Sequence, residues 1–169
     1  MINRDLLIEV IELLKEKNIS IGAVESFTGG LFSSCLTSVS GVSKVFKGSI
    51  VSYSSKIKES VVGVNHETIE KYTVVSSEVA EEMALKGSEI LTTDLTVSFT
   101  GNAGPSVCEG DKPVGLIYIS IFFEKNFYTS EYRLNVDRNA IRETAINLAL
   151  EKILKILCNF SIKDTPTSI

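Results

Sequence analysis

The hexapeptide Glu25-Ser26-Phe27-Thr28-Gly29-Gly30 is where this sequence most readily admits chemistry. An apolar run at 19–24 precedes it and a helix-like stretch at 31–36 follows, so a strand ends in a tight turn carrying a serine. The first turn of a helix leaves backbone N–H groups unpaired, and these can hold an anion or a developing oxyanion. A serine placed just before such donors sits where a nucleophile is needed. The same residues also suit a plainer use, in which Ser26 or Thr28 caps the helix.

A serine nucleophile requires a base. The chain has one histidine, His66, in a connector with no cysteine or second histidine beside it, and its setting is that of a surface or turn residue. Lysine is the remaining candidate. Tyr53-Ser54-Ser55-Lys56-Ile57-Lys58 puts a tyrosine at a strand end and two lysines in the following helical turn. A free lysine, with a pKa of about 10.4, is a poor base at neutral pH. Burial or a neighbouring cation lowers that value and would let neutral Lys58 accept the Ser26 proton. Tyr53 could relay the proton or fix the lysine amine by hydrogen bonding. Packing and solvated-face roles for both residues stay open.

Two further segments have binding chemistry. Thr100-Gly101-Asn102-Ala103-Gly104-Pro105 offers glycines and exposed N–H groups that form an anion nest, or a plain exit from a strand. Arg138 and Arg142 are spaced to share one face at a helix start. Either suits bidentate phosphate binding, and either suits a solvated ion pair.

The elements that must position these groups follow from periodicity. Asn3 caps a helix from about residue 4 to 17, with Leu6, Leu7, Val10, Ile11 and Leu14 as its apolar stripe. Strands are expected at 19–24, 45–53 and 95–100. A short helix follows Ser54, and a longer one follows Ser76. Segments 114–123 and 127–134 read as an antiparallel hairpin, and Asp137 caps a long final helix. The order predicts an α/β fold, a three-layer α/β/α sandwich with a mixed, mostly parallel sheet and an antiparallel hairpin strand. Ligands in such sheets sit beyond the carboxyl ends of the strands, where the loops after Val24, Tyr53 and Thr100 fall.

Composition narrows the classes. The 169 residues suit one domain, taken as 1–160 with a polar tail at 161–169. A hydrophobic content of 44% with 22% charged residues is that of a globular protein. The net charge of −4 disfavours nonspecific nucleic-acid binding. The three cysteines, Cys35, Cys108 and Cys158, are widely spaced and form no metal-binding pair, which indicates a reducing compartment. With no signal-peptide core and no membrane-length apolar run, a cytoplasmic location without membrane or nucleic-acid partners is expected. No metal or cofactor is expected.

In order along the chain, the opening hexapeptide, Gly41-Val42-Ser43, residues 53–58, Val62-Gly63-Val64, Val75-Ser76, residues 100–105, Lys112-Pro113-Val114-Gly115 and residues 137–142 resemble the CinA C-terminal domain family, the nicotinamide-nucleotide amidohydrolases. The resemblance runs from the first helix to the last. It implies a stand-alone deamidase that converts nicotinamide mononucleotide to nicotinate mononucleotide and ammonia. Ser26 would be the nucleophile, Lys58 its base and Tyr53 an assisting hydroxyl. Glu25, Thr28, Gly29 and Gly30, with Thr100, Gly101, Ala103 and Gly104, would bind substrate or steady the oxyanion, and Arg142 would contact phosphate. The family is often dimeric or larger, so a homo-oligomer is expected. Phe27, Ser55, Thr73, Val74, Asn102 and Ser106-Val107-Cys108 depart from the usual pattern and bear on pocket shape. The alternative is a noncatalytic module that binds a phosphorylated metabolite or a protein, related to competence or DNA-damage responses.

Overall fold

The computed structural model describes residues 1–107 and 111–160. The departure at Cys108 and the tail at 161–169 lie outside the described residues. The chain runs α1 (Arg4–Lys17), β1 (Ile21–Glu25), α2 (Leu31–Thr37), a 3₁₀ turn (Val42–Lys44) and β2 (Phe46–Val51). Next come α3 (Ser55–Ile57), continued by a π turn (Lys58–Val62), then α4 (His66–Tyr72) and α5 (Ser77–Leu91). It closes with β3 (Leu95–Gly101), β4 (Leu116–Phe123), β5 (Asn126–Arg133) and α6 (Arg138–Asn159). Side chains of Asn3, Ser76 and Asp137 accept from backbone amides at the starts of α1, α5 and α6, the capping that their types predict.

The five strands form one sheet in the order β2-β1-β3-β4-β5. β1 pairs in parallel with both β2 and β3, whereas β4 is antiparallel to its two neighbours. The hairpin therefore extends a parallel sheet through one reversed strand, and the carboxyl ends of β1, β2 and β3 share one edge. Leu95, Val97 and Phe99 of β3 face the main core with Leu7, Ile11, Phe32, Ala145 and Leu150 from α1, α2 and α6. A smaller cluster of Val24, Val62, Val64, Val79 and Met83 joins β1 to the π turn and α5. These are the two outer layers of the sandwich. Among the described residues no helix is long and apolar enough to cross a membrane.

α5 lies close against the sheet because small residues face it. A Cβ on Gly87 would fall 2.3 Å from Val24 Cγ2 and 3.2 Å from Thr96 Cγ2. The Ser98 hydroxyl donates to the Ala80 carbonyl across the same contact at 2.5 Å. The glycine inside this helix thus fits it to the strand that leads into Ser26.

Candidate active site

The turn after β1 is built around Glu25. This carboxylate is fully buried and accepts from the amides of Gly30, Phe32 and Ser33 at 3.0, 3.1 and 3.0 Å, and from the Ser33 hydroxyl at 2.6 Å. A buried anion is costly unless it is satisfied, and the unpaired amides at the start of α2 satisfy this one. α2 has no side-chain cap at Gly30, so Glu25 serves instead from the preceding strand. Gly29 and Gly30 have φ of 59° and 93°, left-handed values that let the chain fold back over the carboxylate.

These contacts give part of the expected binding set protein partners of its own. Glu25 and the Gly30 amide are committed to each other, and the Gly29 amide donates to the Ser26 carbonyl at 3.0 Å. Arg142 donates from Nη2 to the Thr28 carbonyl at 2.7 Å, bracing the turn. Gly104 receives Arg138 Nη1 on its carbonyl at 2.5 Å. Glu25, Gly29, Gly30, Gly104 and Arg142 lie outside the lining of the cleft at Ser26 and shape it from behind; Thr28 also lies outside that lining, with its carbonyl held by Arg142.

That cleft has a volume of about 170 Å³. Ser26, Lys58, Tyr53, Thr100, Gly101 and Ala103 line it, and so does Arg138. The Lys58 amine lies 2.8 Å from Ser26 Oγ and 2.7 Å from the Ser52 carbonyl. Lys58 is only 2% exposed, and its desolvation lowers its pKa from 10.5 to about 8. A lysine titrating there is neutral in roughly a tenth of molecules at pH 7. In that state it can donate one N–H to the Ser52 carbonyl and turn its lone pair to the Ser26 hydroxyl. The Ser54 side chain accepts from the Ile57 amide at 3.3 Å, starting the short helix that delivers Lys58 at the head of the π turn.

Two features follow from the structure alone. The lysine amine is held by the carbonyl of Ser52 and not by the phenol of Tyr53, a backbone contact with no sequence signature. Tyr53, 60% exposed, instead accepts from Arg138 Nη2 at 2.8 Å. Of the two arginines, Arg138 therefore reaches the cleft. The helical spacing of the pair was visible in the sequence, but its direction relative to the turn was not.

The departing residues also find their places. Phe27 is buried in the main core, which absorbs its bulk. Asn102 donates to the Lys112 carbonyl and accepts from the Gly104 amide, both at 3.0 Å, so its polarity clips the loop together. Thr73 has φ 68° and ψ 163°, a region adopted almost only by glycine. Among the described residues the amides of Phe27 and Thr28 have no acceptor, leaving two donors directly after Ser26.

Fold and site together define an α/β/α domain that joins a strand-end serine to a buried lysine. The CinA C-terminal domain family matches residues 3–157, and the chain belongs to it. It is 45% identical over 155 residues to a CinA-like protein of Prochlorococcus marinus strain AS9601, covering 90% of this chain and 37% of that one. A CinA-like protein of Dictyoglomus thermophilum is also 45% identical, over 89% of this chain and 36% of its own length. The chain thus spans little more than a third of these curated relatives. Among solved structures, the competence/damage inducible protein CihA of Agrobacterium tumefaciens superposes with a TM-score of 0.87 at 29% identity, covering 94% and 99% of the two chains. A CinA superfamily protein of Klebsiella pneumoniae gives 0.90 at 23% identity over 93% and 98%, which speaks to the fold.

Proposed function

We propose that this protein is an amidohydrolase that converts nicotinamide mononucleotide to nicotinate mononucleotide and ammonia. The observation that carries the chemistry is the buried Lys58 amine 2.8 Å from Ser26 Oγ. The choice of amide rests on the family resemblance, and the cytoplasmic and oligomeric expectations belong to the same reading.

Ser26 Oγ attacks the carboxamide carbon while the neutral Lys58 amine takes its proton. The tetrahedral oxyanion is met by the amide of Phe27, which lines the cleft; one such donor is worth about 3 kcal/mol. The C–N bond then breaks and the Lys58 ammonium returns the proton to departing ammonia, leaving an ester on Ser26. Water attacks that ester, Lys58 takes its proton, and the Ser26 alkoxide leaves as the carboxylic acid forms and is reprotonated. One amide and one water give one acid and one ammonia.

The carboxamide ring enters the 170 Å³ cleft. A neighbouring cleft of about 260 Å³ shares Val74, Val75, Gly101 and Asn102 with it and gives the ribose room. Arg138 is the cation on the wall beside Lys58, and the phosphate is drawn to it. The test is ammonia release from nicotinamide mononucleotide by the intact protein and by Ser26→Ala. Release that disappears in the variant supports the reading. Failure to release ammonia from neutral to alkaline pH overturns the substrate, and equal activity in the variant overturns the role of Ser26. Stabilisation by the nucleotide without turnover points to a binding module instead.

A further inference from the structure

A cavity of about 540 Å³ opens at the end of the sheet opposite Ser26, between the β4–β5 hairpin and the last turns of α6. Its location follows from strand direction: β4 is antiparallel to β3, so Phe123 lies at the edge opposite the one bearing Thr100. Phe123, Tyr128, Ile156 and Phe160 supply an apolar wall, and Lys152 and Lys155 supply two cations. Phe123 and Phe160 meet edge to face with centroids 4.9 Å apart.

Glu151 lies beside both lysines in a neighbouring cavity. Among the described residues neither forms a salt bridge, although Glu124 also borders the cavity. Lys152 is half-buried and donates to the Ser130 hydroxyl, a neutral partner. Burial and the charge of Lys155 both disfavour its protonated form. Both lysines precede the last turn of α6, so the helix dipole does not account for two cations lining one cavity. Placing an anion between them would relieve their repulsion, and the aromatic wall would cover a flat apolar body.

We infer that this cavity binds a small organic anion, a carboxylate or phosphate on a planar apolar group, between Lys152 and Lys155. The site is separate from the Ser26 cleft and does not depend on the amidase reading. α6 bridges the two, since Arg138 at its start lines one and its C-terminal turns line the other.

Calorimetric titration of the full chain with phenyl phosphate, benzoate, inorganic phosphate and benzyl alcohol tests this. Saturable binding of phenyl phosphate or benzoate is expected, weakened about tenfold or more in Lys152→Met/Lys155→Met, since losing a charge-assisted contact costs a tenfold factor or more. Arg138→Met should leave it within twofold. The exposed single variant Lys155→Met, checked for an unchanged thermal midpoint, gives the same direction if the double variant unfolds. The two aromatic anions rank phosphate against carboxylate. No saturable binding, or equal binding in the lysine variants, overturns the site. Equal affinity for benzyl alcohol removes the anion, and equal affinity for inorganic phosphate removes the apolar body.

Discussion

Lys58 and Lys152 each donate to a serine hydroxyl, yet their surroundings set them to different tasks. Lys58 is sealed in, its amine held between Ser26 Oγ and the Ser52 carbonyl, and burial brings its pKa to about 8. Lys152 is half-buried on an open helix face, bonded to Ser130 and repelled by Lys155. In the first pair a backbone carbonyl fixes the amine, while two amides with no acceptor among the described residues follow the serine in sequence. In the second, a second cation, Lys155, stands close by. On the proposed reading, a lysine–serine contact serves as base and nucleophile when the backbone around it is arranged for an oxyanion, and two lysines beside an apolar wall serve a bound anion.

The largest effect is expected from dismantling the first pair. Lys58→Met should lower kcat by roughly 10²–10⁴-fold, the usual contribution of a positioned general base. Ser26→Ala should lower it at least as much, because the two act as a unit, and the double variant should be little worse than either single one. Multiplicative losses in single-turnover ammonia release would show that the residues act independently, and the contrast between the two pairs would fail.

The pH dependence is next. In the proposed mechanism Lys58 acts as its neutral amine, so kcat/KM should climb about tenfold per pH unit up to pH near 8 and level off above it. Stability carries the same sign. Above 10.5 the lysine is neutral both folded and unfolded, so its burial costs no charge desolvation; as pH falls through about 8 the folded protein must carry the buried ammonium. The stability of the wild type relative to Lys58→Met should therefore rise by roughly 3 kcal/mol between these limits. Denaturant unfolding across that window reads it, and a flat difference would mean that Lys58 is not desolvated.

Much of this arrangement was legible in the sequence, and what was missed has a common cause. The strand-turn-helix at Ser26, the caps at Asn3, Ser76 and Asp137, and the reversed hairpin all follow from local types and periodicities, which read burial and capping directly. The burial of Glu25 did not, since an acid at the end of a strand faces a substrate and the amides of its own following helix equally well on paper. Arg138 and Arg142 had one spacing and two fates, decided by how α6 is rotated against the turn. Contacts to carbonyls, such as Lys58 to Ser52, carry no residue signature. Thr73 breaks the local preference for glycine, and only the backbone shows that it does so at a left-handed φ.

A smaller effect tests the rigid support under the first pair. Gly87→Ala would put a methyl 2.3 Å from Val24 Cγ2, in the strand that leads to Ser26. Such overpacking costs about 1–3 kcal/mol. Chemical denaturation should show that loss, together with a fall in kcat as the strand shifts. A stability loss with unchanged kcat would mean that the Ser26 turn is held by Glu25 and not by the packing of α5.

The smallest expected effect concerns strain in the wall beside the cleft. Thr73 borders the 260 Å³ neighbour with φ 68° and ψ 163°. Holding a threonine there costs on the order of 1–3 kcal/mol. Thr73→Gly removes that strain but loosens the unfolded chain, which returns about 0.4–1 kcal/mol of the gain. The net should be a stabilisation of about 1 kcal/mol, seen as a rise in Tm of about 2–4 °C. The Thr73 carbonyl accepts from the Ser76 hydroxyl at 2.9 Å, and the Val74 carbonyl accepts from Thr100 Oγ1 at 2.6 Å. Relaxing Thr73 while keeping both contacts should therefore leave kcat intact and change KM alone. A fall in kcat would instead mean that the strained wall helps align the serine and lysine, extending the rigid part of the site beyond the residues that touch them.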